Sequence, residues 1–210
     1  MTCLHGAVDL EERLAGRWPL DDPGPRDALL AAYAAPGRGY HDLRHLGEVL
    51  DRLDELAEAG ELFTRLPVEL AAWFHDGVYD GAPGDEARSA DWASRALPEA
   101  GVEGAVVAEV ARLVLLTEHH RPDPGDRNGE ALSDADLAVL ASDPERYDEY
   151  VRDVRREYAH VPDDDVRRGR AAVLEDLAAK PSLFPTAHAR GSWESRARPN
   201  LTRELAPLRA

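Results

Sequence analysis

Between its glycines and prolines the chain repeats apolar residues at three- and four-residue spacing, a periodicity that belongs to helices and leaves little room for strands. From about Asp42 to Ala59, the residues Leu46, Val49, Leu50, Leu53, Leu56 and Ala57 form one stripe, with Gly60 as the stop. Pro67 stands where a first-turn proline belongs, and Val68, Ala71, Ala72 and His75 share one face before Gly77. A third helix is expected from about Asp85 to Ala100 after the Pro83-Gly84 break. A fourth is expected from about Glu103 to His120, ending before Arg121-Pro122. The stretch Arg121 to Glu130 reads as a loop, with Ser133 capping a short helix that carries Leu137, Val139 and Leu140. Asp143 is placed to cap the next helix, from Pro144 to about Ala159, and Asp163 to Ala179 reads as another. The last segment, about Ser192 to Leu208, contains Pro199 and must be kinked or begin late. The expected fold is all-α and compact: an N-terminal helical arm over residues 1–36, a main domain over 37–185, and a tail helix over 186–210 packing on it.

A chain of 210 residues can bury enough apolar surface to fold without disulfides or a structural metal, so a metal in it would serve chemistry. The 41 acidic against 25 basic residues give a formal charge of −16, which opposes binding to a nucleic-acid polymer or an anionic membrane. One small anionic substrate stays compatible if a metal or a local arginine cluster receives it. Cys3 is the single cysteine, so there is no intrachain disulfide and no cysteine-based zinc site, as suits a reducing cytoplasm. The first residues lack a basic region followed by an apolar one. The most apolar segment, Val106 to Leu116, is broken by Glu109 and Arg112. A cytoplasmic monomer or homodimer is expected. Lys180 is the single lysine, which fits GC-rich codon usage and says nothing of function.

The eight histidines are unevenly spread. His5, His160 and His188 stand alone and read as ordinary core or surface residues. His41 and His45 are one turn apart, and His45 lies at the edge of the apolar stripe, so its ring points inward. His75-Asp76 ends an almost wholly apolar run, Leu70 to Phe74, where a buried carboxylate needs a partner or a bound cation. A histidine nitrogen with a carboxylate oxygen suits a divalent ion such as Mn, Fe, Zn or, with more oxygen, Mg. The alternative for Asp76 is a cap or an ion pair at the helix end. In the pair His119-His120, spacing from Leu113, Leu116 and Thr117 turns His120 toward the apolar side and His119 toward Arg112. Asp134 and Asp136 are about 200° apart on a helix, so only one of them can face a given point.

Taken in order, His45, the doublet His75-Asp76 and Asp136 in a D-A-D-L segment resemble the HD superfamily of metal-dependent phosphohydrolases. The string Arg38 to His45, the block Ala72 to Tyr79, Glu86-x-x-Ser89-Ala90, Thr117-x-x-His120 and Arg155-x-Glu157-Tyr158 resemble a bacterial subfamily of predicted HD-type phosphohydrolases. The likeness covers about Arg38 to Tyr158, with a weaker echo from Glu194 to Asn200.

The resemblance implies an HD-type helical bundle with a metal site in its core, His45, His75, Asp76 and Asp136 being the ligands of a divalent ion (Mn, Mg, Fe or Zn). His120 is a candidate for a further ligand, and a substrate contact or a structural role is its alternative. Tyr40-His41 followed by His45 is similar to a segment of class I cyclic-nucleotide phosphodiesterases, where the first histidine donates a proton to the leaving oxygen. Here the following residue is Asp42 where that segment has asparagine, so His41 is a candidate general acid or else a residue of the helix start. The implied catalytic residues are His41, Asp76 and Glu86, the last holding a bound water or a substrate hydroxyl unless it is a solvated helix-start carboxylate. Arg38, His119, Arg155 and Arg198 are candidates to contact an anionic substrate. The implied activity is an enzyme's: hydrolysis of a phosphate mono- or diester of a nucleotide-like small molecule by metal-activated water. Two alternatives stand beside it. HD proteins also include di-iron oxygenases, to which His119-His120 would lend ligands, and a third role is a nucleotide or metal sensor without turnover.

Overall fold

The computed structural model describes residues 2–209. The expectations for Cys3 and His5 concern side chains outside the described residues. Among the described residues there are eleven α-helices: α1 (Thr2–Ala15), α2 (Gly24–Tyr33), α3 (Leu43–Glu58), α4 (Arg65–Phe74), α5 (Asp85–Glu99), α6 (Gly104–Leu116), α7 (Arg127–Leu137), α8 (Pro144–Glu157), α9 (Asp163–Ala179), α10 (Ala187–Ser192) and α11 (Glu194–Leu208). A short 3-10 helix, Ala138–Ala141, joins α7 to α8, and no strand occurs among the described residues. None of these helices is long and apolar enough to cross a membrane.

Helix α4 is the centre of the fold. From Leu70 to Phe74 every residue is fully buried, and the helix packs against α3, α5, α6 and α7. That second half of the helix is apolar on all sides and has no face to offer water, so it is enclosed by its neighbours. The consequence for the site is direct, because His75 and Asp76 follow Phe74 and emerge inside the molecule. Helix α3 brings its stripe to the same core, with Leu46, Val49, Leu50, Leu53 and Leu56 all buried. Its start is fixed by Asp42, whose side chain accepts hydrogen bonds from the amides of Arg44 and His45.

Leu14 and Tyr33 from the N-terminal segment and Trp193 and Leu205 from the C-terminal one belong to the same buried cluster as α4. Helix α11 packs along α9 and the 3-10 helix. It runs through Pro199 after starting at Glu194, and the six-residue α10 precedes it.

Two boundaries depart from the sequence expectation. Helix α6 stops at Leu116, not at His120. Helix α7 starts at Arg127, capped by Asp126, whose carboxylate accepts from the Gly129 amide. Ser133 is therefore a mid-helix residue, not a cap, and Asp143 precedes α8 with no side-chain capping hydrogen bond.

Candidate metal centre

Three elements meet beneath a cavity of about 560 Å³. Helix α3 contributes His45, the end of α4 contributes His75 and Asp76, and the last turn of α7 contributes Asp136. His45 Nε2 lies 3.1 Å from His75 Nε2, 3.3 Å from Asp76 Oδ2 and 3.2 Å from Asp136 Oδ1. His75 Nε2 lies 3.0 Å from Asp76 Oδ2 and 3.6 Å from Asp136 Oδ1. Both rings are fully buried and both carboxylates nearly so.

The separations among His45, His75 and Asp76 fit a shared cation, and Asp136 lies beside the two rings. Bonds of roughly 2.0–2.2 Å from one ion put neighbouring ligand atoms about 2.8–3.6 Å apart in octahedral or tetrahedral geometry. Asp76 Oδ2 is buried without a hydrogen-bond partner, which a carboxylate oxygen rarely tolerates unless a cation takes its charge. The His75 tautomer points the same way. Its Nδ1 lies 2.8 Å from the Ala72 carbonyl, which can only accept, so Nδ1 carries a proton and it is Nε2 that faces the cluster, free to offer a lone pair once its own proton is displaced. The donor set of two imidazoles and two carboxylates suits a borderline divalent ion.

The electrostatics express the same demand for positive charge. Burial pulls the His45 ring down, but hydrogen bonds and charge from Asp136 and Asp76 outweigh it and lift the ring to about 9. His75 is also lifted well above its ordinary value against burial, chiefly by Asp76. Asp76 and Asp136 are held well below the usual carboxylate range despite their burial, chiefly by the charge on His75. A divalent ion must displace protons from these rings. Its affinity is therefore expected to weaken as pH falls below about 9, by about tenfold per unit for each proton displaced. Titration with Mn²⁺ at pH 6, 7 and 8 checks this, and a pH-independent affinity would remove His45 and His75 from the ligand set.

Around the cluster, His120 is the inward member of its pair. It lies beyond the end of α6 with φ +48°, and no other non-glycine among the described residues has positive φ. That turn brings its Nε2 to 3.5 Å from Asp136 Oδ2 and its Nδ1 to 3.2 Å from Ser133 Oγ, while Lys180 donates to its carbonyl. Burial pushes its ring down, so it offers a neutral nitrogen. His119 is exposed at the cavity rim. Asp134 turns away from Asp136, accepts from the Thr186 amide at 2.9 Å and is pushed up to about 7 by burial.

His41 also lines the cavity, its ring 5.6 Å from that of His45. Glu157 on α8 holds it: Oε2 lies 2.8 Å from His41 Nδ1, and Oε1 accepts the amides of Gly39, Tyr40 and His41. Burial alone would raise this carboxyl, but those hydrogen bonds keep it below the ordinary glutamate value. Gly39 permits the approach, since a Cβ there would stand 2.2 Å from the Asp153 carbonyl oxygen. Glu86 lines the cavity, its carboxyl raised mainly by burial.

Three of the arginines expected to meet substrate are engaged elsewhere. Arg38 spends its guanidinium on the carbonyls of His41, Asp76 and Gly77, which ties the 38–41 loop to the end of α4; it does not line the cavity. Arg155 donates to the Tyr158 carbonyl and pairs with Asp163, at the wall of a neighbouring cavity. Arg198 pairs with Glu194 and the carbonyls of Ala178 and Lys180, away from the site. Sequence reasoning quoted Glu157 inside a motif without giving it a task. Tyr79, Tyr150 and Arg170 in the walls were missed, and Arg170 had nothing to set it apart from the other arginines. Compared with family models, curated proteins and solved structures, the chain matches none.

Proposed function

We propose that the chain is a metal-dependent phosphohydrolase of the HD type, acting on a phosphate mono- or diester of a small molecule. The observation that carries this is the cluster of His45, His75 and Asp76 under a cavity, with Asp136 beside the two rings, the residues of the H…HD…D pattern. His45, His75 and Asp76, with Asp136 beside them, would hold a divalent ion, which would supply water activation and polarisation of a phosphoryl oxygen.

The chain's own groups orient the substrate and move protons. In the cavity wall Arg121 is paired with Asp176 and Arg170 with Glu204, so the anionic group would be drawn to a bound divalent ion and not to a free guanidinium. Glu157 accepts the Nδ1 proton of His41 and fixes the ring, which leaves Nε2 to give a proton to the leaving oxygen. Glu86 is placed to accept from a substrate hydroxyl.

Phosphate release with Mn²⁺ or Mg²⁺ tests the activity, and leaving-group dependence tests the acid. His41→Ala is expected to slow an alkyl phosphate by about a hundredfold or more, and p-nitrophenyl phosphate much less, because nitrophenolate leaves without a proton. Equal losses on both substrates would exclude His41 as the acid.

One observation favours a second reading. His120 adds a ligand atom beside Asp136, as a centre of two irons with oxygenase chemistry would require. Two equivalents of iron and oxygen consumption would mark it.

A further inference from the structure

A second cavity of about 730 Å³ adjoins the first, between α8, α9 and α11. His41, Tyr79, Tyr150, Arg170 and Val173 line both spaces. Their boundary is built from two stacked pairs. The His41 and Tyr79 ring centroids are 3.9 Å apart, and the Arg170 guanidinium lies 4.9 Å above the Tyr150 ring. Val173, one of four large hydrophobic residues left exposed among the described residues, stands at the mouth.

The second cavity is apolar where the first is polar. Val151, Val154, Val161, Val166, Pro207 and Leu208 supply much of its wall. Most of its polar groups are engaged, His41 Nε2 and Arg167 apart. Tyr147 donates to Glu204 at 2.6 Å, and Arg170 donates to Glu204 at 2.7 Å and to the Tyr150 hydroxyl at 2.7 Å. The hydroxyls of Tyr79 and Tyr158 pair at 3.3 Å, and Arg203 pairs with Asp148.

A nucleobase entering here would exchange its hydrogen bonds with water for a mainly apolar wall, most of whose donors and acceptors are already used. A hydrocarbon chain has none to lose and gains by leaving water. The volume lies in the range, about 300–1,000 Å³, that encloses a drug-sized ligand.

We propose that this second cavity takes the hydrocarbon chain of the substrate, so that the molecule cleaved is an amphipathic phosphate ester whose headgroup meets the His45–His75–Asp76–Asp136 cluster while its tail passes His41 and Tyr79. The choice of headgroup rests on the phosphohydrolase reading above; the tail site does not. The nucleotide expected from sequence resemblance gives way to a chain because the valines, Pro207 and Leu208 make this wall mainly apolar.

The test is calorimetric titration of the full-length protein with Mn²⁺ and with ethyl, butyl, hexyl and octyl phosphate, all below their micellar concentrations. Affinity is expected to rise by about fourfold for each methylene buried, and octyl phosphate to bind more tightly than adenosine monophosphate. Val154→Phe on α8 and, independently, Val166→Phe on α9 narrow the cavity and are expected to flatten the series, with thermal unfolding confirming that each variant folds. A flat series in the unaltered protein, a tighter fit for adenosine monophosphate, or a slope unchanged in the folded variants would overturn the proposal. Repeating the series after EDTA treatment separates the two readings. A slope that persists while overall affinity falls supports both, and a slope with no loss of affinity keeps the tail site and removes the metal-bound headgroup.

Discussion

Replacing Asp76 by alanine is expected to lower phosphate release by more than about a hundredfold, since even partners one step removed from a metal cost about 10–100-fold when removed. The loss has a geometric cause. Asp76 Oδ2 lies within reach of both ring nitrogens, 3.0 Å from His75 Nε2 and 3.3 Å from His45 Nε2, and it has no hydrogen-bond partner outside the cluster to occupy it otherwise. Without it the two imidazoles face a single carboxylate, and the charge that draws a divalent ion into the core is halved. The variant should remain folded, because the Asp76 backbone keeps the contacts that hold the end of α4, its carbonyl to Arg38 and its amide to the Tyr33 hydroxyl. A steady-state phosphate assay beside a circular dichroism melt separates the two effects. Activity within a few-fold of the unaltered protein would sink the mechanism.

The largest effect on stability is expected at Trp73. It is fully buried on the central helix and meets Trp18 edge to face, with centroids 5.2 Å apart. Trp73→Ala removes the largest side chain of the helix that carries His75 and Asp76 and leaves a cavity, at a cost of about 3–5 kcal/mol. For a chain of this size each kcal/mol lowers the melting midpoint by about 2–4 °C, so a fall of roughly 10 °C is expected. Leu62→Ala, at a residue 65% exposed, serves as the control and should move the midpoint little. Equal shifts for the two would mean that α4 is not the organising element.

The sequence carried the helices wherever the pattern was locally strong. The run Asp163 to Ala179 matches α9 at both ends, and the α3 stripe appears with its Asp42 cap. It misled where local and tertiary signals conflict. Asn128-Gly129 looks like a turn, yet both residues lie inside α7, because Gly129 packs where a Cβ would come within 2.7 Å of a Leu116 methyl. Thr117 to His120 continues a helical composition, but the chain leaves α6 and reaches the cluster through the left-handed backbone of His120. The inward direction of His120 was thus anticipated for a reason the fold does not use. The same spacing argument separated Asp134 from Asp136, since it needed only the geometry of one helix.

The second cavity and the grip of Glu157 on His41 were beyond such reasoning. Each joins residues more than a hundred positions apart, which no local period encodes. Arg38 shows the converse. A guanidinium near the right loop suggested a substrate contact, and its backbone partners reveal a strut between that loop and the metal doublet.

The central claim is that the four converging side chains hold a divalent ion, and elemental analysis tests it most directly. The protein is purified without added metal, unaltered and as His75→Ala, and the metal content of each is measured. About one equivalent or more of a divalent metal in the unaltered protein, lost in the variant, is the predicted result; the same content in both would contradict the account.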